Sequence, residues 1–152
     1  MYQLTGEYDC KIDSKGRVRL PSALVRQIGA DKMHFTINRG FEKHLILYPR
    51  EVWDRKVKEI NQLNIYNKQH RQAIRYFFRG ATYVEPDRAD RILIPRSLQD
   101  YALLKDEVVL FAYQQQVEIW SKQGYEEMID REPEEFSDIA NEIFGNSEAN
   151  EG

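Results

Sequence analysis

Apolar and polar residues alternate in short runs over most of the chain, and the runs come in two sets. Glu7 to Ile12 alternates residue by residue, which predicts a short strand. Ala81 to Glu85 reads the same way in the second set. In each set a tight turn follows, then a second strand that stops before a proline, Pro21 or Pro95. Each proline opens a short helix, because its missing N–H is of no consequence in a first turn. Gly29 ends the first of these helices. Two apolar strands close each set: Met33 to Asn38 and Leu45 to Tyr48, then Glu107 to Ala112 and Gln116 to Trp120. Between the sets, Glu51 to Gly80 reads as helical, with Trp53, Val57, Ile60 and Leu63 at helical spacing. A break falls at Asn64 to Asn67, and Asn67 is suited to cap a second helix, Lys68 to Arg79. Its expected apolar face is Ala73, Ile74, Phe77 and Phe78. After Gly124 a helix from Tyr125 to about Arg131 is expected, then Glu-Pro-Glu-Glu and a weaker helix from Phe136 to Phe144.

The two sets are copies. Asp13-Ser-Lys-Gly-Arg17-Val-Arg-Leu20-Pro21-Ser-Ala-Leu24 aligns with Asp87-Arg-Ala-Asp-Arg91-Ile-Leu-Ile94-Pro95-Arg-Ser-Leu98 at an offset of 74. Leu45-Ile-Leu-Tyr48 aligns with Val117-Glu-Ile-Trp120 at an offset of 72, and Trp53 with Tyr125. Several matches in one order indicate duplication of a strand–turn–strand–helix–strand–strand module. One module has too few elements to close a core alone; two in one chain can close it together. The division expected is a first module at 4–50, connecting helices at 51–80, a second module at 81–123 and a C-terminal helix with an acidic tail at 124–152.

The turns carry the informative chemistry. Asp13 and Gly16 suit a type I turn followed by a residue of positive φ. Asp90 stands where the first copy has Gly16, and Asp tolerates the left-handed region less well than Gly.

Composition narrows the class. The single cysteine, Cys10, allows no internal disulfide and fits a reducing compartment. No apolar run is long enough to span a membrane, and the first residues lack the pattern of a signal peptide. The net charge of -3 hides an asymmetry. From Glu126 onward there are ten carboxylates and one base, Arg131, whereas the preceding residues hold 21 bases against 15 acids. A basic body with an acidic end fits a polyanion binder, and equally a solvated tail on an ordinary domain. Enzymatic signals are lacking. His34, His44 and His70 have no metal-ligand spacing with one another or with Cys10, and there is no phosphate loop or nucleophile elbow. Asp13 and Asp87 each have an arginine four residues away, which suits a structural role better than proton transfer. No catalytic residue, metal, cofactor or small-molecule substrate is expected.

The paired Asp-x-x-x-Arg elements, each followed by an aliphatic residue, proline and a short helix, resemble the MraZ family. So do the Arg75-Tyr-Phe-Phe-Arg-Gly-Ala81 junction and Ile119-Trp120-Ser121. The resemblance spans about residues 4–128 and leaves the acidic tail outside it. It implies an α+β fold, mainly β. Two tandem AbrB-like swapped-hairpin modules would form an interlocked pseudo-twofold barrel with peripheral helices. It further implies a transcription regulator of the division and cell-wall gene cluster, cytoplasmic and nucleoid-associated. Such a protein would bind direct repeats of double-stranded DNA in its own promoter region as a ring-shaped homo-oligomer. Asp90 departs from the family's usual Gly and places a negative charge near the implied DNA face.

Against that background the candidate DNA-binding residues are Lys11, Lys15, Arg17 and Arg19 in the first copy, and Arg88 and Arg91 in the second. Asp13, Gly16, Asp87 and Asp90 are structural turn residues. Arg17 and Arg91 can be held by Asp13 and Asp87 while Lys15, Arg19 and Arg88 point outward to phosphates or a groove. The second copy reads as the weaker, because Ala89, Asp90 and Leu93 replace Lys15, Gly16 and Arg19; each chain would then offer one strong turn. Arg26 and Arg96 are secondary phosphate candidates or plain surface. Arg71, Arg75 and Arg79 share one helix face; a basic stripe there invites a nucleic-acid reading, but the commoner explanation is a solvated or subunit-facing surface with ion pairs. Tyr76, Phe77, Phe78, Trp53 and Trp120 read as core or subunit interface. Two rival functions stay open: a protein-interaction module without specific DNA binding, and an antitoxin-type AbrB relative.

Overall fold

The computed structural model describes residues 3–151. The first copy supplies β1 (Gly6–Lys11), β2 (Arg17–Arg19), α1 (Ser22–Ile28), β3 (Phe35–Arg39) and β4 (Leu45–Pro49). Two connecting helices follow, α2 (Arg50–Asn61) and α3 (Lys68–Phe78). The second copy repeats the order with β5 (Thr82–Val84), β6 (Arg91–Leu93), α4 (Arg96–Tyr101), β7 (Glu107–Tyr113) and β8 (Gln116–Ser121). The last element is α5 (Lys122–Glu151).

Strand order shows how the copies close a core that neither closes alone. The main antiparallel sheet runs β1-β7-β8-β4-β3-β5, and β2 and β6 form a separate two-stranded ribbon. The first strand of each copy therefore pairs with the third strand of the other: β1 with β7, and β5 with β3. The remaining cross-copy pairs are between equivalents, β2 with β6 and β4 with β8. Val18 lies directly opposite Ile92, its own counterpart at the 74-residue offset. Ile46 lies opposite Glu118, its counterpart at the 72-residue offset. Self-equivalent partners in an antiparallel pair mark a local twofold, so both pairs lie on the pseudo-symmetry axis.

Burial follows the duplication. Val18 and Ile92, Leu20 and Ile94, Leu24 and Leu98, and Leu47 and Ile119 are all fully or almost fully buried in one cluster. Truncating a buried leucine of this kind to alanine costs about 2–5 kcal/mol. The body through Lys122 forms one compact unit, and the segment from Gln123 onward forms another.

The connecting helices match the expected breaks. Asn67 caps α3 by accepting from the backbone N–H of His70 at 3.1 Å. Phe77 stacks on Trp53 with ring centres 5.4 Å apart, and Phe78 meets Trp53 edge-on. Ala73, expected on this apolar face, is exposed instead. Arg39 fastens the other end of α3, donating from Nε to the Arg79 carbonyl and from Nη2 to the Tyr76 carbonyl. These last-turn carbonyls have no partner within the helix, so a cation is well placed there.

At the C-terminus the expected pair of helices is corrected. α5 is continuous from Lys122 to Glu151 and passes through Pro133, where a break was anticipated.

Candidate nucleic-acid interface

The ribbon is two-faced because side chains alternate along a strand. Val18 and Ile92 point into the core. Arg17, Arg19, Arg91 and Leu93 flank them in sequence and lie on the other, outward face. Leu93 is 56% exposed there. Register sets Arg17 against Leu93 and Arg19 against Arg91. Like charges directly opposite each other destabilise a strand pair. A ribbon that keeps Arg19 opposite Arg91 gives up some stability for a positive surface.

Each turn is built around its aspartate. Asp13 accepts from the backbone N–H groups of Lys15 and Arg17 and from Arg17 Nε at 2.8–2.9 Å. Asp87 repeats this with Ala89, Arg91 and Arg91 Nε at 2.9–3.0 Å. Accepting these hydrogen bonds, the backbone N–H of the arginine foremost, holds both carboxyls below the usual aspartate range. Only Nε of each guanidinium is used. Among the described residues, the terminal nitrogens of Arg17 and Arg91 meet no hydrogen-bond acceptor, and they remain available to a phosphate or a base edge.

The turns lock one another. Leu20 donates its N–H to the Asp90 carbonyl at 2.8 Å, and Ile94 donates to the Gly16 carbonyl at 2.9 Å. Gly16 has φ +87° and is buried; Asp90, its counterpart, has φ +59°. The left-handed conformation expected from the turn chemistry is therefore present in both copies.

Other assigned residues separate. Lys15 and Arg88 are exposed at the two turn tips, one position apart in the repeat. Arg19 lies on the outward face but is tied down, donating from Nε to the Ala89 carbonyl at 3.0 Å. Antiparallel pairing thus carries Arg19 to the second turn, where it joins Arg88 and Arg91. The second turn's end of the ribbon therefore gathers three arginines, whereas the first has Lys15 and Arg17. Lys11 is not part of the ribbon; it ends β1 in the main sheet, opposite Glu107. Arg96 is paired at the surface with Asp100 at 3.4 Å, and Arg26 is exposed. Among the described residues, no His, Cys, Asp or Glu cluster could hold a metal ion. No described helix is long and apolar enough to cross a membrane.

The family model described as "MraZ protein, putative antitoxin-like" matches the chain twice, over residues 3–76 and 77–147. The chain belongs to the MraZ family. The two matches begin 74 residues apart, the same offset that relates the two turns. They also run to residue 147, so the match takes in the acidic C-terminal segment up to that residue. A relative from Christiangramia forsetii, named transcriptional regulator MraZ, is 39% identical over 150 residues, covering 97% of each chain. One of the same name from Flavobacterium psychrophilum is 37% identical over 96% of this chain and 94% of its own. Another from Halothermothrix orenii is 37% identical over 89% of this chain and 92% of its own.

Sequence reasoning missed the outer-face network of the main sheet. His44 is buried and stacks on Trp120 with ring centres 4.4 Å apart and planes 13° apart. Glu118 accepts from Trp120 Nε1 at 2.9 Å and from the Tyr113 hydroxyl at 2.8 Å, with His44 Nε2 at 3.5 Å. The one available signal was Glu118 itself, a charge inside the apolar run that matches Leu45-Ile-Leu-Tyr48.

Proposed function

We propose that this MraZ-family chain is a transcriptional regulator that binds double-stranded DNA through the two ends of its β2–β6 ribbon. The observation that carries the reading is the outward face of that ribbon. It groups Arg17, Arg19 and Arg91 over a buried Val18–Ile92 pair, with aspartates orienting two of the guanidiniums. A rigid strand pair with preset arginines loses little freedom on binding. Phosphate contacts supply affinity, and paired arginine donors suit guanine edges in the major groove.

The finer reading follows from the family resemblance. The strand exchange between copies is the arrangement expected of two AbrB-like swapped-hairpin modules, 4–50 and 81–123, joined by the helices at 51–80. Copies of the chain form a ring on direct repeats in the promoter region of their own division and cell-wall gene cluster, in the cytoplasm at the nucleoid. Linking several weak turn contacts raises affinity without new chemistry when subunit and repeat spacings agree.

The test is a gel shift on the DNA upstream of the gene, beside a scrambled control, at two salt concentrations. Specific retention that weakens with salt is expected. Arg17→Ala should abolish that specific retention and leave the assembly size unchanged. Retention of both DNAs alike would reduce the chain to a nonspecific cation. No retention at low salt by folded protein would favour a protein-interaction role.

A further inference from the structure

Two charged helix faces remain outside the core and the ribbon. α3 carries Lys68, Arg71 and Arg75, with Arg79 at its C-cap, and no carboxylate. One edge packs through Phe77 and Phe78 on Trp53; the other is exposed and presents Arg75, Tyr76 and Arg79. The ion pairs expected for this stripe are not made: among the described residues no carboxylate meets Arg71, Arg75 or Arg79. Tyr66, in the turn leading into α3, is 87% exposed.

α5 has the opposite character. Ten carboxylates and one arginine lie from Glu126 onward. Phe136, Ile139, Ala140, Ile143 and Phe144 recur at i, i+3, i+4, i+7 and i+8, the stripe by which a helix buries one side. Phe136 is 61% and Phe144 65% exposed. Gly124, Pro133 and Gly145 are weak helix formers. A helix of this composition needs packing along its apolar stripe to be stable.

We propose that α5 of one copy docks on the exposed edge of α3 in a second copy. Its apolar stripe meets Tyr76 and the preceding turn, and its carboxylates face Arg75 and Arg79. Charge decides the occupant. Two α5 helices packed together would hold strongly acidic surfaces about 8–10 Å apart, close to one Debye length, so their repulsion would be poorly screened. α3 offers the complementary sign and exposed aromatic area. The contact is head to tail, so it propagates from copy to copy and closes into a ring when the rotation allows. This inference rests on the multi-subunit part of the proposed function and not on DNA contact by the ribbon.

The experiment measures assembly mass by sedimentation without DNA, so its outcome is independent of the ribbon reading. Two full-length variants are used: Phe136→Ser/Phe144→Ser in α5, and Arg75→Glu/Arg79→Glu in α3. Circular dichroism and unfolding midpoints confirm that each is folded, with Arg75→Gln/Arg79→Gln as the milder form of the second. The wild type should assemble and each variant alone should fall to monomer. Mixed one to one, the variants should form a heterodimer and stop there, because one supplies an intact α3 and the other an intact α5. An α3 variant that still assembles would place α5 against α5. A monomeric wild type, or a mixture that stays monomeric, would also overturn the proposal.

Discussion

Gly16 and Asp90 occupy the same turn position in the two copies, and they should respond to substitution very differently. Gly16 has φ +87° and is buried; a Cβ there would overlap the Gln99 side-chain amide and approach the Ile94 carbonyl oxygen to 3.1 Å. That amide donates to the same Ile94 carbonyl at 2.8 Å. Gly16→Ala therefore loses on two counts. A left-handed backbone costs a β-carbon residue about 1–2 kcal/mol, and displacing the Gln99 amide gives up a hydrogen bond worth about 1 kcal/mol. The sum is a loss of about 2–3 kcal/mol. Asp90→Gly relieves the same backbone conformation but adds chain entropy to the unfolded state, about 0.5–1 kcal/mol, so it should be close to neutral. The counterpart of Gln99 at the 74-residue offset is Val25, which has no amide to displace. A cycle of Gly16→Asp and Gln99→Val separates the two causes, with a coupling of about 1 kcal/mol expected between them. Urea unfolding midpoints, with the denaturant slope checked for constancy, give each value. If Gly16→Ala falls within about 0.5 kcal/mol of the wild type, an ordinary surface change, the argument from backbone and packing is wrong. If Gly16→Asp is as damaging in the Gln99→Val background as in the wild type, the backbone alone is responsible.

Further expectations concern titration. Burial holds the His44 imidazole below the ordinary histidine range, against the opposing pull of Glu118 and Glu42. The unfolded chain then binds the proton more readily, so this stability is present above pH 6.5 and lost as pH falls below it. Unfolding midpoints of the wild type and His44→Phe should diverge in that window; a difference independent of pH would remove His44 as the cause. Cys10 is pushed up to about 11, first by burial and then by Asp9. Alkylation at neutral pH should be slow compared with a free thiol in the unfolded protein, and equal rates would contradict the burial. Because the folded value is raised, the associated stability is complete below the ordinary thiol value of 9.0 and lost as pH rises towards 11. Asp13 and Asp87 have the reverse sign: their stabilisation of the turns is present above the ordinary value of 3.8 and lost as pH falls below it. The protection of the Arg17 and Arg91 amides, measured by NMR relative to their intrinsic exchange rates, should fall in that acid range and hold above it.

Local chemistry made much of the fold legible. The Asx turns, the prolines at Pro21 and Pro95 and the Asn67 cap are decided by neighbours within a few residues, and they stand where the sequence places them. Errors arose where the deciding contact is distant. Ala73 satisfies the spacing of an apolar face, but the edge of α3 that packs is the one Phe77 and Phe78 occupy beside Trp53. Pro133 marks a break only if no alternative helix geometry is tolerated, and α5 continues through it. Arg39 gave no signal at all, since the carbonyls it caps lie about forty residues further on.

The placement of Arg19 shows a different limit. Compared position by position, Ala89, Asp90 and Leu93 each remove something that Lys15, Gly16 and Arg19 provide. Yet equivalent positions are not neighbours in an antiparallel pair. With Val18 opposite Ile92, every residue is matched with one displaced equally to the other side of the axis, so Arg19 faces Arg91 and Leu93 faces Arg17. The side chain that distinguishes the first copy is thereby delivered to the turn of the second, where it donates to the Ala89 carbonyl. The duplication offset already contains this information: a strand that pairs antiparallel with its own copy must pair about a self-equivalent residue, so only the choice of that residue remained to be found. It follows that Arg19→Ala should impair the second turn's contacts with DNA more than the first's. Lys15→Ala should do the reverse. Footprints of the two variants on a single repeat would distinguish the ends. Loss of protection on the same side for both would mean that Arg19 acts where the chain order puts it, and that the ribbon register does not govern the site.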